Sequence, residues 1–457
     1  MVRCGGRSRG CMACRKRKIK CDESQPVCSQ CRRTRRECSG AIVGPVFLKV
    51  DPRGSPRKQR RSEPQTQKRL CQLVLGPSGG GGGGGSDSSI AGHPNSGSVL
   101  CEEQLVASLA GFFGRCAANK TRDTSWLTLC CREALTQSPV NNEHMHTSVL
   151  AAALALHGIK ANNPAALAES RRWYLRGIQH QRSKVQVWSS EPRPTVTVHD
   201  VALPIILGYY EALLPTSSKA WDQHITAAAT LLQLAGPEAC QKGWFRQLFL
   251  SVRIHMVSVS LRQWTPSIIA TDEWINVPYR QIPKGPLDRV VDLLLKLPCI
   301  LGPSATDSAQ DQTSLLWIIR NLSDLWDTIL QFYPHLRAGD CPDTIQPAGM
   351  AAYVIGTTEF LEPPAAITIA FYSLAWITVL ARLPQGLSYE QLITAHCNAI
   401  LTAAAYIGSI KDGCSCIRLI YSLQKVISCS PSERQAREAE SYIHNWGLLQ
   451  TFQTHGG

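Results

Sequence analysis

Six of the 19 cysteines, Cys11, Cys14, Cys21, Cys28, Cys31 and Cys38, follow the spacing C-x2-C-x6-C-x6-C-x2-C-x6-C. The pattern is one half-motif written twice, joined by a six-residue loop that contains Pro26. Thiolate is a soft ligand suited to zinc, and two residues between cysteines let both sulfurs reach one metal. Two tetrahedral zincs call for eight ligand positions, so six thiolates suffice if two of them bridge. A disulfide framework fits less well, because Lys and Arg crowd the gaps and the start lacks the apolar stretch of a secretion signal, so a reducing cytosol or nucleus is expected. An interaction-only zinc module stays open, although it does not need the run Arg15-Lys16-Arg17-Lys18-Ile19-Lys20 inside one gap.

Charge separates this end from the rest. Residues 1–70 hold 20 Lys and Arg against 5 Asp and Glu, whereas the remaining 387 residues hold 28 against 29. One strongly basic end on a near-neutral body is the asymmetry of a chain that meets a polyanion, and nucleic acid outranks a membrane surface in that role. The basic run also reads as a nuclear import signal.

Residues 41–98 read as a linker. Five prolines from Pro45 to Pro77, a basic cluster at residues 57–61 and seven glycines from Gly79 to Gly85 cannot bury enough apolar surface to fold. Leu70, Leu73 and Leu75 are too close together for a heptad seam, so no linker coiled coil is expected. Any homodimer then falls to the region beyond.

From about residue 99 to 457 the apolar residues recur at helical spacing, as in Val201, Ile205, Leu207 and Tyr210, or Ile225, Ala228, Leu231 and Leu232. Prolines, from Pro139 and Pro164 to Pro384 and Pro431, divide the region into a dozen or so helices of 10–20 residues. The main alternating stretch is Thr195-Val196-Thr197-Val198. A helical bundle or irregular solenoid follows. The longest uncharged run, between Glu362 and Arg382, is just long enough to span a bilayer, but it opens on two prolines and carries polar residues, so it reads as a buried core helix. No membrane partner is expected.

The cysteine pattern, the basic run and Pro26 together resemble the fungal binuclear zinc-cluster transcription factors. That resemblance implies two zinc ions, with Cys11 and Cys28 bridging, Cys14 and Cys21 completing one site and Cys31 and Cys38 the other. It places a short helix between the second and third ligands with its end in the DNA major groove. Arg17 and Lys18 would then read base edges, typically in a CGG triplet, through guanine O6 and N7, and Arg15, Lys16 and Lys20 would contact phosphates. Arg17 stands where lysine is often found. The expected units are thus a cluster at 1–40, a linker at 41–98 and an all-α regulatory domain at 99–457, in a nuclear regulator of transcription.

The helical region carries a looser likeness to the fungus-specific regulatory region behind such clusters, at Trp173-Tyr174-Leu175, at the segment 219–232 and at Gly243-Trp244-Phe245. It implies regulation and motivates a small-molecule effector. His224 reads as a packed residue, His144 and His146 as members of a polar loop, and Cys414, Cys416 and Cys429 as thiols without zinc spacing. No G-x-x-x-x-G-K-[ST] loop or H-E-x-x-H helix is present, and the glycine run has no strand before it. An enzyme with a zinc appendage is the remaining alternative.

Overall fold

The computed structural model describes Cys14, Arg17, Cys38 and residues 19–22, 28–34, 101–114, 125–136, 139–188, 195–301, 309–336, 360–382 and 389–447. Two compact units result, Met1–Gln65 and Thr66–Gly457. Among the described residues of the first is one short helix, α1 (Ser29–Arg33). The linker residues 41–98 and the prolines at 192, 194, 303, 342, 347 and 384 lie outside the described residues.

The second unit is strand-free among its described residues and built from helices. Its first half holds α2 (Glu102–Phe113), α3 (Trp126–Thr136), α4 (Pro139–Lys160), α5 (Pro164–Trp188), α6 (Val198–Leu213) and α7 (Ala220–Ala235). After α8 (Gly243–Gln263) and the single-turn α9 (Asp272–Asn276) come α10 (Pro286–Leu301), α11 (Ala309–Phe332), α12 (Pro363–Leu380), α13 (Glu390–Ile410), α14 (Gly413–Cys429) and α15 (Glu433–Asn445). Several exceed the expected length, α5 reaching 25 residues and α11 24.

Prolines punctuate as their chemistry requires. Pro139, Pro164, Pro286 and Pro363 are the first residues of their helices, where a missing N–H costs nothing. Pro204 and Pro298 instead lie inside α6 and α10. The Thr195–Val198 stretch is no strand: Thr197 caps α6, its hydroxyl accepting from the Asp200 N–H while the Asp200 carboxylate accepts from the Thr197 N–H at 2.8 Å. The reciprocal pair satisfies two otherwise orphaned donors, and it overrides the β-preference of two valines.

Two helices are surrounded. Every residue of α6 from Asp200 to Leu213 is buried, among α3, α4, α5, α7 and α8. Every residue of α12 from Ala365 to Leu380 is buried too, among α10, α11, α13 and α14. Helix α8 touches α6, α7, α10 and α14, and so ties the two groups together. One continuous apolar core runs through both, with Trp221, Trp326 and Trp376 among its largest fully buried side chains. The uncharged run of the sequence is therefore a core helix, 89% buried.

The most deeply buried cation of this core is held by a set of acceptors. Arg253 on α8, 1% exposed, donates to the Tyr279 hydroxyl at 2.6 Å and pairs with Asp288 at 3.2 Å and with Asp292. Lys284 donates to the second oxygen of Asp292 at 2.6 Å. A guanidinium this deep holds its place only through such a set of acceptors.

Candidate zinc cluster and nucleic-acid interface

Among its described residues the amino-terminal unit buries cysteines and little else. Its buried group consists of Cys14, Cys21, Cys28 and Cys31, with Cys38 half-buried against them. A core made of sulfur is too small to drive folding by area, so the stabilisation has to come from bonds to metal.

Cys28 sits at the middle of this group. Its Sγ lies 3.7 Å from the Cys14 Sγ. With zinc–sulfur bonds of about 2.3 Å, two thiolates on one tetrahedral zinc stand roughly 3.8 Å apart, so this spacing suits a shared ion. The ligand atoms of Cys14, Cys28 and Cys31 all lie within 4.8 Å of one another, as do those of Cys21, Asp22 and Cys28. Cys28 thus belongs to both sets. Cys11 lies outside the described residues, and with it the second expected bridge.

Local backbone explains why the sulfurs converge. Cys28 is the N-cap of α1, and its Sγ accepts from the Cys31 N–H at 3.4 Å. The Cys28 N–H in turn donates to the Cys38 Sγ, also at 3.4 Å. A thiolate is a better acceptor than a thiol, and one at a helix N-terminus gains from the aligned N–H groups, so both bonds favour the form that binds metal. Around Cys14 the chain closes a turn in which the Ile19 N–H donates to the Cys14 carbonyl at 3.1 Å.

Asp22 was not singled out from sequence. Its carboxylate accepts from the Ser29 N–H at 3.1 Å and from the Ser29 hydroxyl, tying the residue after the third cysteine to the residue after the fourth. The half-motif repeat carries the signal, since Cys21-Asp22 and Cys28-Ser29 bracket the joining loop.

Of the basic positions, Arg17 and Lys20 are exposed, while Arg15, Lys16 and Lys18 lie outside the described residues. Arg32 and Arg33 are exposed in the last turn of α1. The sequence repeat carries their signal: each C-x2-C pair is followed by two basic residues, Arg15-Lys16 in one half and Arg32-Arg33 in the other.

The other candidates lie in the helical unit. His224 is buried, with the Tyr174 hydroxyl 2.9 Å from its Nε2, and burial takes its pKa down to about 4. His144 and His146 are not in a loop but on α4, because Asn141 and Asn142 fall in its first turn. His146 bonds Glu102 at 2.5 Å. Cys414 and Cys416 are buried, and desolvation pushes the Cys416 thiol up, away from the thiolate that a metal needs.

Residues 9–42 match the family described as the fungal Zn(2)-Cys(6) binuclear cluster domain. Similar proteins include the transcriptional regulatory protein moc3 of Schizosaccharomyces pombe, 58% identical over 31 residues, which are 7% of this chain and 6% of that protein. The transcription activator AMTR1 of Alternaria alternata is 64% identical over 29 residues, 6% of this chain and 4% of its own length. The aspercryptin biosynthesis cluster-specific transcription regulator atnN of Emericella nidulans is 37% identical over 68 residues, 15% of this chain and 11% of its own. The chain thus spans only a small part of each relative. No solved structure matches it.

Proposed function

We propose that this chain, which carries a fungal Zn(2)-Cys(6) cluster domain at its amino-terminal end, is a nuclear, DNA-binding regulator of transcription and not an enzyme. The observation that carries this reading is Cys28, whose sulfur is close to Cys14 and Cys31 in one group and to Cys21 in another, beside exposed Arg17 and Lys20; the assignment of Cys14 to the site of Cys21 and not of Cys31 rests on the family resemblance. Two zinc ions per chain complete the cluster, one held by Cys11, Cys14, Cys21 and Cys28, the other by Cys11, Cys28, Cys31 and Cys38. Their chemistry is structural: they hold the loops in place and expose the basic residues.

In this reading residues 1–40 form the reader, 41–98 a tether and 99–457 the regulatory domain. Arg17 and Lys18 take the base edges of a CGG-like triplet, where a bidentate pair discriminates by about 1–3 kcal/mol. Arg15, Lys16 and Lys20 hold phosphates, so affinity falls steeply with salt. The helical domain carries any homodimer contact and receives a small-molecule effector; no membrane is involved. A biosynthetic gene set is the target class that the relative from Emericella nidulans suggests.

The test combines zinc content with binding to a CGG duplex and a scrambled duplex at two salt concentrations. Two zincs per chain, with CGG preference kept at the higher salt, are expected. Lys18→Ala should weaken the CGG duplex more than the scrambled one, and Lys20→Ala both alike. Equal, salt-sensitive binding to both duplexes by the unaltered protein would overturn the reading.

A further inference from the structure

A cavity of about 540 Å³ opens between α5, α6 and α7 of the helical body, within the roughly 300–1,000 Å³ of small-molecule sites. Its walls are mostly apolar, with Val185, Trp188, Leu203, Leu231 and Leu234 among them. Val185 and Leu234 are more than half exposed, a cost the fold leaves uncovered.

One polar patch interrupts these walls. Lys184 pairs with Asp200, and the Asp200 carboxylate also accepts from the Thr197 N–H and hydroxyl at 2.8 and 2.7 Å. His144 packs edge-on against His180 with ring centroids 4.5 Å apart, and His180 lies 3.5 Å from the Glu143 carboxylate. Burial, then His180 and Lys184, hold His144 below the ordinary imidazole range, so its ring is neutral and offers one donor and one acceptor. The charged pair that lines the cavity, Lys184 and Asp200, is satisfied internally, which leaves little to repay the desolvation of an ionic ligand.

Pro204 adds an independent observation. It lies inside α6 and lines the cavity, as does Asp200 four residues before it. Having no N–H, Pro204 cannot donate to the Asp200 carbonyl as a helix residue would. A proline there costs helix stability and takes from the Asp200 carbonyl the donor that a regular helix would supply.

We propose that this cavity binds an uncharged, mostly apolar small molecule whose hydroxyl sits against His144 and the Asp200 carbonyl. Binding stands on the cavity alone; an effector role for that molecule rests on the regulator reading above.

The probe is Nile red, a neutral apolar dye, with the full chain and no DNA, so failure here and failure of the DNA reading are distinguishable. Saturable fluorescence is expected, displaced by decanol and at least about tenfold less well by decanoate. Ala227 and Thr230 line the cavity from α7 with exposed side chains. Ala227→Trp and Thr230→Trp should each weaken the dye by about tenfold or more with unchanged helicity, whereas Leu316→Trp on α11 should not. Pro204→Ala should weaken decanol and spare Nile red, which has no O–H to donate. Unaltered dye binding in both tryptophan variants would overturn the site. Decanoate competing as well as decanol would overturn the ligand class.

Discussion

The two units solve the problem of folding by opposite means. Among its described residues the amino-terminal unit buries a handful of cysteines and leaves Arg17, Lys20, Arg32 and Arg33 in water, whereas the helical unit sinks two whole helices into a continuous apolar core. A metal-held fold depends on a few bonds of large individual strength, and losing one ligand removes it. A core of many small contacts loses stability by degrees. The difference suits the division of labour proposed above, in which a rigid reader is fixed by metal and a large body can exchange some packing for a cavity.

The sharpest way to break this comparison is Cys28→Ala. In the proposed cluster Cys28 is shared by both zincs, so zinc content should fall to near zero, since structural zinc supplies about 10–16 kcal/mol of apparent binding energy in small zinc domains. Binding to the CGG duplex should vanish, while the thermal transition of the helical body stays where it was. Retention of two zincs per chain would exclude the bridge.

Legibility from sequence follows the same divide. The cluster is local: ligand reach fixes the cysteine spacing, so the positions can be read directly, whereas Asp22 and Arg32-Arg33 follow no metal-ligand spacing and carry no such signal. The body is legible as far as local signals extend. The uncharged run announced α12 as a core helix, and four prolines marked helix starts. What no window could show is who meets whom. Arg253 and Asp292 are 39 residues apart, and the surroundings of α6 come from five other helices. Local rules also competed: at Thr195–Val198 capping defeated alternation, and after Asn141-Asn142 the helix ran on through both histidines.

Acid should unfold the body by degrees. Burial takes His224 to about 4 and His255 and His396 to about 3. These depressed values leave the native rings neutral while the unfolded ones protonate near 6.5, so stability is lost as pH falls from about 6.5 toward 4, by about 2 kcal/mol per histidine at pH 5. Burial raises Glu211, Asp222 and Asp292, which act in the opposite sense in their own range. His255 isolates the effect: its Nε2 has no partner, its ring lies edge-on to Trp221 at 5.2 Å, and Arg418 disfavours its charge. His255→Phe should reduce the pH 7 to pH 5 loss in urea-unfolding free energy by about 2 kcal/mol. An unchanged loss would show that His255 is protonated in the native body.

Arg253→Ala asks whether the body has any single group as decisive as Cys28. It strips Asp288, Asp292 and Tyr279 of a shared partner, and breaking a buried pair on one side costs about 3–5 kcal/mol. Lys284 still meets Asp292, so the body should remain folded at neutral pH with a lower urea midpoint and the same zinc content. Complete unfolding would mean that the contrast drawn between the units is too strong.

The smallest effect belongs to Thr197. Its hydroxyl caps α6, and its N–H is taken up by Asp200, which also pairs with Lys184 at the cavity. Removing the hydroxyl leaves the Asp200 N–H without its cap but keeps the carboxylate on the Thr197 backbone, so Thr197→Ala should cost about 1 kcal/mol and Thr197→Ser only a few tenths. Because α6 is packed on all sides, the loss should register in global urea unfolding and not as fraying of one helix end. If Thr197→Ala loosened α6 alone, seen as faster amide exchange at residues 198–201 with an unchanged urea midpoint, the body would be a set of separable helices and not one cooperative core.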